Sequence, residues 1–411
     1  MILKKTINAY EILYETLLNN SFIECLSNCN LKSAYNDYAL MIDKKPEINE
    51  EDLLYIQEVV NNSMSKKLKL ARDENKNIKI FLADREFINR QRDELPLSSG
   101  EQNFLSLTFE FLKAKKSQSS IIVIDDPISS FDSIYKNKVV YSLMKILDNK
   151  FRIVLTHNLD LVRLISAQYQ NSFNLYILNN CNEGSQNGFI KLNNKEQKIL
   201  INLKELLSMF RKDIKNYIVD DEAYLISMIP FMRGYASITG DDDSYNKLTD
   251  VMHGYKINDV DLAEIYIKLF QTNLEGVIPN HYSVNVSVIL SKNFDNIQIV
   301  KEMPILDKTL RHSAIYLVLR LSVEKTLVEK FKVDTTVNKQ LGQIISQAFP
   351  EDGDQIQIRN RVFFTSKKTL INEFNHFEGN LSIFQPAIDI TDQALGQEKS
   401  LIEGKIRELK E

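Results

Sequence analysis

The sequence predicts an α/β lobe built on a parallel βαβ core, followed by a mainly α-helical C-terminal domain. Three observations carry that expectation. "SIIVIDD" (120–126) and "FRIVLTHN" (151–158) are short apolar, β-branched runs of the kind that form parallel strands covered on both faces. Between them "IYKNKVVYSLMKILDN" (134–149) has helical spacing, and strand-helix-strand in so short a span makes a crossover pair. From about Asn194 to Glu411 helical periodicities dominate.

In chain order, Ile7, Tyr10, Leu13, Tyr14, Leu17 and Leu18 form an apolar stripe at helical spacing. A second helix is expected from Glu50 to about Leu70 through Leu53, Ile56, Val60 and Met64. "IKIFLAD" and "EFINR" alternate and read as short strands. These elements form a first region, 1–94, an arm leading into the lobe at 95–194. Within that lobe "LDLVRLISAQY" is a helix, and "FNLYILNN" and "GFIKLNN" are further strands. The third region, 195–411, holds the helical stretches "ILINLKELLSMFRKDI", "DVDLAEIYIKLFQTNL", "LRHSAIYLVLRLSVEKTLVEKF" and "DQALGQEKSLIEGKIREL". "ITGDDDSYN" and "GNLSIFQPAID" read as the turns and loops between them.

With 411 residues, 44% apolar and 26% charged, the composition is that of an ordinary globular protein with room for two or three domains. A net charge of −4 argues against a generally basic surface that coats nucleic acid, while leaving room for a local basic groove. Three cysteines without a C-x-x-C pair argue against a disulfide framework or a zinc ribbon, and Cys25 and Cys29 have no histidine near in sequence. No apolar run approaches the ~20 residues of a membrane span, and "MILKKTINAYEILYE" is too polar for a signal peptide. A cytoplasmic protein without a membrane partner is expected.

Four short elements carry chemistry. Ser98, Ser99 and Gly100 precede a helix opening near Glu101, where backbone amides and the macrodipole favour a phosphate. The same residues also suit a simple N-cap. Asp125 and Asp126 end the first buried run, where carboxylates can hold magnesium or orient an attacking water, or merely face solvent. "PISSFDS" places Ser129, Ser130 and Asp132 in the following loop, and His157 ends the next strand within reach of a γ-phosphate.

Taken together and in this order, these elements resemble the ABC ATPase family. "LSSGEQ" is similar to its signature motif, "IIVIDD" to its Walker B strand, "SSFD" to its D-loop and His157 to its H-loop histidine. The wording "VIDDPISSFDS…VLTHN" is most similar to the branch of RloC and PrrC anticodon nucleases and related phage-defence ATPases. The resemblance covers roughly residues 95 to 165. It implies an ABC-ATPase half-head that uses ATP and Mg2+. Asp125 would be the magnesium aspartate and Asp126 the catalytic base, in place of the family's usual glutamate. Ser98, Ser99, Gly100, Glu101 and Gln102, with Asp132 of the D-loop, would contact nucleotide.

One part is missing. No G-x-x-x-x-G-K-[ST] phosphate loop occurs, and the only Gly-Lys pair, Gly404-Lys405, lies in a terminal helical pattern and is followed by Ile. A split ATPase whose Walker A lobe is another polypeptide, a truncated longer protein, and a relative that docks without hydrolysis all remain open. The resemblance implies head-to-tail homo- or hetero-oligomers, in which the signature of one head serves nucleotide held by another.

In the C-terminal domain, Arg320 and Glu324 are four apart and share a helix face, with His376 further on. By resemblance to the anticodon nucleases these three would form a metal-independent RNase site acting on tRNA. Glu324 and His376 would share proton transfer, and Arg320 would offset transition-state charge. His312, on the same helix, is a rival histidine, and an Arg-Glu pair at this spacing is also an ordinary salt bridge. The expected function is an anti-phage ATPase whose head association gates RNA cleavage. The alternative is an ATPase clamp that binds nucleic acid and recruits a separate effector.

Overall fold

A computed structural model describes residues 2–28, 30–43, 50–64, 67–72, 78–82, 85–86, 97–169, 172–179, 188–272, 276–373 and 383–411. The chain divides into two compact units, residues 1–161 and 162–411.

The first unit opens with helices α1 (Ile2–Asn28) and α2 (Leu31–Asp43), joined through Asn30 in the left-handed region at φ 51°. Asparagine tolerates that conformation better than most residues. The stripe on α1 does not form a core: Leu13, Tyr14, Leu17 and Leu18 are each more than half exposed. Helix α3 (Glu50–Ser63) buries Leu53, Ile56 and Val60, and Met64 just beyond it, as their spacing requires.

This helix stops at Ser63 rather than near Leu70, a correction with a clear cause. The Asn61 carboxamide accepts the Leu68 N–H at 2.6 Å and donates to the Leu68 carbonyl at 2.9 Å, while Gln57 accepts from the Leu70 N–H. Strand β1 (Leu68–Arg72) is thereby drawn onto α3, with Leu68 and Leu70 buried at a period of two. It pairs antiparallel with β2 (Ile78–Leu82), which pairs with the two-residue β3 (Arg85–Glu86). The remainder of "EFINR" lies outside the described residues.

The expected crossover is present. Helix α4 (Ser99–Lys116) precedes β4 (Ile121–Asp125), α5 (Ser133–Ile146) and β5 (Phe151–Leu155), and the strands run parallel from Ile121↔Phe151 to Asp125↔Leu155. Phe104, Phe111 and Leu112 of α4 and Val139, Val140, Leu143 and Ile146 of α5 are buried. Burial on both faces of the sheet, however, is not found. Ile121 and Val123 on β4, with Phe151, Ile153 and Leu155 beside them on β5, are 37–77% exposed. The apolar runs suit two-sided cover, but no described layer lies over this face. Among the described residues β4 and β5 pair only with each other.

Helix α6 (Leu159–Gln168) spans the division between the units. In the second unit β6 (Tyr176–Asn179) and β7 (Gly188–Lys191) form an antiparallel pair. The long helical stretch expected after Asn194 is broken. Helix α7 (Asn194–Ile201) ends at Asn202, whose extended backbone and side chain cap α8 (Leu203–Ser208) through the Lys204 and Glu205 N–H groups. A π turn at Met209–Asp213 and a 3-10 turn at Ile214–Asn216 follow.

Next come α9 (Asp221–Ser227), α10 (Ile229–Thr239) and α11 (Asp242–Val251). "ITGDDDSYN" is therefore mostly helix. Gly240 ends α10 at φ 73°, where glycine bears no steric cost, and Asp241 at once caps α11. Strands β8 (Val260–Asp261) and β9 (Ser283–Val284) flank α12 (Leu262–Phe270). Then follow α13 (Val286–Ser291), the 28-residue α14 (Pro304–Phe331), α15 (Leu341–Ala348), α16 (Gln355–Ile371), α17 (Gln385–Asp389) and α18 (Asp392–Lys410). The end of the "GNLSIFQPAID" loop is thus helix α17, with Pro386 in the first turn where no donor is lost. Helix α14 is the axis of this unit, packed against α9, α13, α15, α16, α17 and α18.

The start of α14 is held by Glu196 of α7. Its Oε1 accepts the N–H groups of Ile305 and Leu306 at 2.7 and 3.1 Å. Burial pushes this carboxyl up to about 7, outweighing those two donors. Because the folded-state value is raised, the stabilisation is fully present below about 4.5 and is lost as pH rises through about 7. Glu196→Gln keeps the acceptor but cannot ionise. Melting temperatures across pH 4.5 to 8 are expected to fall less with rising pH in the variant than in the native chain.

Candidate nucleotide-handling site

Ser98, Ser99 and Gly100 stand at a helix N-terminus open to solvent. Ser98 is the N-cap of α4, and its Oγ accepts the Glu101 N–H at 3.3 Å. The buried Glu101 carboxylate returns the contact, accepting from the Ser98 N–H at 2.9 Å and the Ser98 hydroxyl at 3.1 Å. Gln102 donates to the Leu97 carbonyl at 3.0 Å. Glu101 and Gln102 therefore hold the shape of the turn, while Ser98 and Ser99 are exposed at the end of an 18-residue helix. Anions are favoured there by the first-turn amides and the helix dipole.

Gly100 has a packing reason. A Cβ at this position would meet the Tyr135 ring of α5 at 3.2 Å. That ring lies 6.1 Å from Phe104 and 6.5 Å from Phe131, so the Ser98, Ser99 and Gly100 turn rests on an aromatic cluster next to the loop that ends at Asp132. Burial, reinforced by the Glu101 charge, raises the Tyr135 phenol, which stays protonated. Ser98→Ala removes the cap acceptor and is expected to cost about 1 kcal/mol of stability, read from denaturant midpoints.

The carboxylate end lies at the C-terminal edge of β4 and β5, where ligands of open α/β sheets gather. Asp125 is exposed, and its carboxylate has no hydrogen-bond or ion-pair partner among the described residues. Asp126 takes the left-handed region at φ 41°, with its N–H bonded to the Leu155 carbonyl at 2.8 Å. The Thr156 hydroxyl donates to Asp126 Oδ1 at 3.0 Å, and His157 Nδ1 stands 3.3 Å from Oδ2. Asp132, exposed, begins α5 as its N-cap without a side-chain cap bond. The fold thus brings Asp126 and His157 together, with Asp125 adjacent. Thr156 was missed by sequence reasoning, although the strand register places it directly beyond Leu155 and opposite Asp126.

The donor chemistry suits magnesium bound with nucleotide. Mg2+ in such sites keeps waters and takes one or two carboxylates plus phosphate oxygens, and Asp125 is a free hard-oxygen donor. Among the described residues no group of three or more His, Cys, Asp or Glu forms a self-sufficient metal cage. The exposed α4 terminus suits a phosphate, but nothing in the 411 residues supplies the glycine-lysine cradle.

In the second unit Arg320 and Glu324 of α14 form an ion pair at 2.9 Å. Glu324 is fully buried, and its Oε2 also accepts the Gly254 N–H at 3.0 Å and lies 3.1 Å from His253 Nδ1. Gly254 is required there, since a Cβ would stand 2.3 Å from the Leu321 carbonyl oxygen. Arg320 also donates to the Asn372 carboxamide, which lines an open polar cleft of about 750 Å³ together with Asn338, Gln340, Gln343, Gln347 and Lys368. His376 lies outside the described residues. His312 does not join the cluster. It contacts Asp392 at 2.5 Å, and burial lowers it to about 4 despite that carboxylate. The histidine beside Glu324 is His253, far from it in sequence and unmarked by any local pattern.

A parallel strand pair edged with carboxylates and a capped, open helix terminus give this α/β lobe a donor set that suits a phosphate and a hard cation. Residues 54–219 match the family model of an AAA domain, a range that includes Ser98, Ser99, Gly100, Asp125, Asp126, Asp132 and His157. That match suggests ATPase activity for this region. No curated protein and no solved structure matches the chain. Among the described residues no helix is long and apolar enough to cross a membrane.

Proposed function

We propose that the chain provides the signature and carboxylate half of an ATP-hydrolysing head, completed by a lobe that carries the phosphate-binding loop. The bare face of the β4–β5 sheet carries this reading. Parallel sheets are covered on both sides because their apolar faces otherwise meet water. Here five apolar side chains stay exposed directly beneath Asp125, Asp126 and His157. A lobe packed on that face would bury them and bring its phosphate loop to the same strand ends. In the completed head Asp125 holds Mg2+ with ATP, Asp126 accepts a proton from the attacking water, and His157 meets the γ-phosphate. Ser98, Ser99 and Gly100 face nucleotide held by a neighbouring head, so ATP favours head-to-tail association. The test is a pull-down from the native host followed by an ATPase assay. A partner bearing a glycine-lysine loop, with activity present only in the complex, is the expected result. Ordinary turnover by the chain alone would overturn the reading.

The resemblance to the RloC and PrrC branch supports a finer reading, an anti-phage ATPase whose head association gates tRNA cleavage by the C-terminal domain. Arg320 and Glu324 are the anchor of that proposal, with His253 now a candidate beside His376. The rival is a clamp that docks a separate effector, and the full burial of Glu324 favours it. Incubating the completed complex with tRNA and ATP separates the two. Cleavage lost in His376→Ala or His253→Ala supports the nuclease, and uncut tRNA with a co-purifying effector supports the clamp.

A further inference from the structure

We propose that Thr156 is a positioning residue for ATP hydrolysis, aiming the Asp126 carboxylate at the attacking water. The inference rests on the ATPase reading above and adds to it a side chain to which the resemblance assigned no role.

Asp126 is one methylene shorter than a glutamate and therefore depends more on where its backbone is held. The backbone is held unusually. At φ 41° it occupies a region that costs most side chains energy and that aspartate tolerates, and its N–H is tied to the Leu155 carbonyl at the end of the parallel ladder. The side chain is then fixed from the next strand. Thr156 Oγ1 accepts the Asn158 N–H at 3.0 Å, which leaves the single hydroxyl proton free to point at Asp126 Oδ1, also at 3.0 Å. Branching at Cβ restricts the rotamer that makes both contacts. With Oδ1 held by Thr156, Oδ2 is the oxygen turned outward, 3.3 Å from Nδ1 of the exposed His157, and the one placed to accept a proton from water. One hydroxyl therefore decides which carboxylate oxygen faces the attacking water. Misplacing a reacting group by about 1 Å can cost on the order of a hundredfold in rate.

A purely local role is the competing account, because a threonine accepting the N–H two residues on is also an ordinary turn. The two accounts differ in kinetics. In the purified complex with its phosphate-loop lobe, Thr156→Val should lower kcat for ATP by about tenfold or more with KM within about twofold, since ATP is bound elsewhere. Thr156→Ser should restore most of kcat. Introduced into Asp126→Asn, Thr156→Val should produce no further loss, because both changes remove the same function. If Thr156→Val fails to fold, as judged by its melting curve, Thr156→Ser and Thr156→Cys carry the same comparison, with Ser active and the weaker donor Cys impaired. Unchanged kcat in Thr156→Val or Thr156→Cys, or an equal loss in the Asp126→Asn background, overturns the proposal while the ATPase reading stands. Full activity in Asp126→Asn alone, or a completed complex that does not hydrolyse ATP, overturns both.

Discussion

Asp126→Asn is expected to reduce ATP hydrolysis by the completed head about 10²–10⁴-fold, the usual contribution of a general base. The substitution is unusually clean at this position. Asparagine tolerates the left-handed backbone at φ 41° as well as aspartate does, and its amide oxygen can still accept from Thr156. Asp125 and the open α4 terminus are untouched, so Mg2+ and nucleotide should bind as before. The expected outcome is therefore a head that associates with ATP and does not release. Size-exclusion chromatography with ATP should show a longer-lived assembly for the variant than for the native complex, alongside the loss of phosphate release. Dissociation at the native rate would mean that Asp126 is not the group that triggers opening.

The second large effect concerns stability. Glu324→Ala is expected to cost about 3–5 kcal/mol, because breaking a buried ion pair leaves the other charge without its partner. In a unit of this size that corresponds to a fall in melting temperature of roughly 6–20 °C. Glu324 is fully buried and serves Arg320, His253 and the Gly254 N–H together, so its loss takes a partner from three groups at once. Glu324→Gln retains an acceptor for the Gly254 N–H and should lose less. A melting temperature for Glu324→Ala within about 2 °C of the native value would mean that this buried cluster does not hold the unit together.

These two sites were legible to different degrees. Every residue expected at the carboxylate end lies in one linear run or at the end of the neighbouring strand, so strand polarity alone gathers Asp125, Asp126 and His157. Thr156 escaped notice because a threonine beside a histidine carries no pattern; only the left-handed Asp126 gives it a target. In the second unit Arg320 and Glu324 were found by their helical spacing, but spacing is silent about burial and about His253, which is 71 residues away in sequence. Helix α3 is expected to run on to about Leu70 because Leu68 continues the four-residue spacing of Val60 and Met64; the Leu68 and Leu70 N–H groups, donating to Asn61 and Gln57, make that segment a strand instead.

By itself the sequence determined the parallel crossover, the helical C-terminal region, and the order of the nucleotide-handling residues. Those features depend on local periodicity and on residue types that must stand at strand and helix ends. Only the tertiary structure decided that Glu101 is consumed by the α4 cap, that Glu324 is buried beside His253, and that the β4–β5 sheet keeps one apolar face bare. Each of these depends on which surfaces meet, and a run such as "IIVI" has the same composition whether its second face is covered or open to solvent.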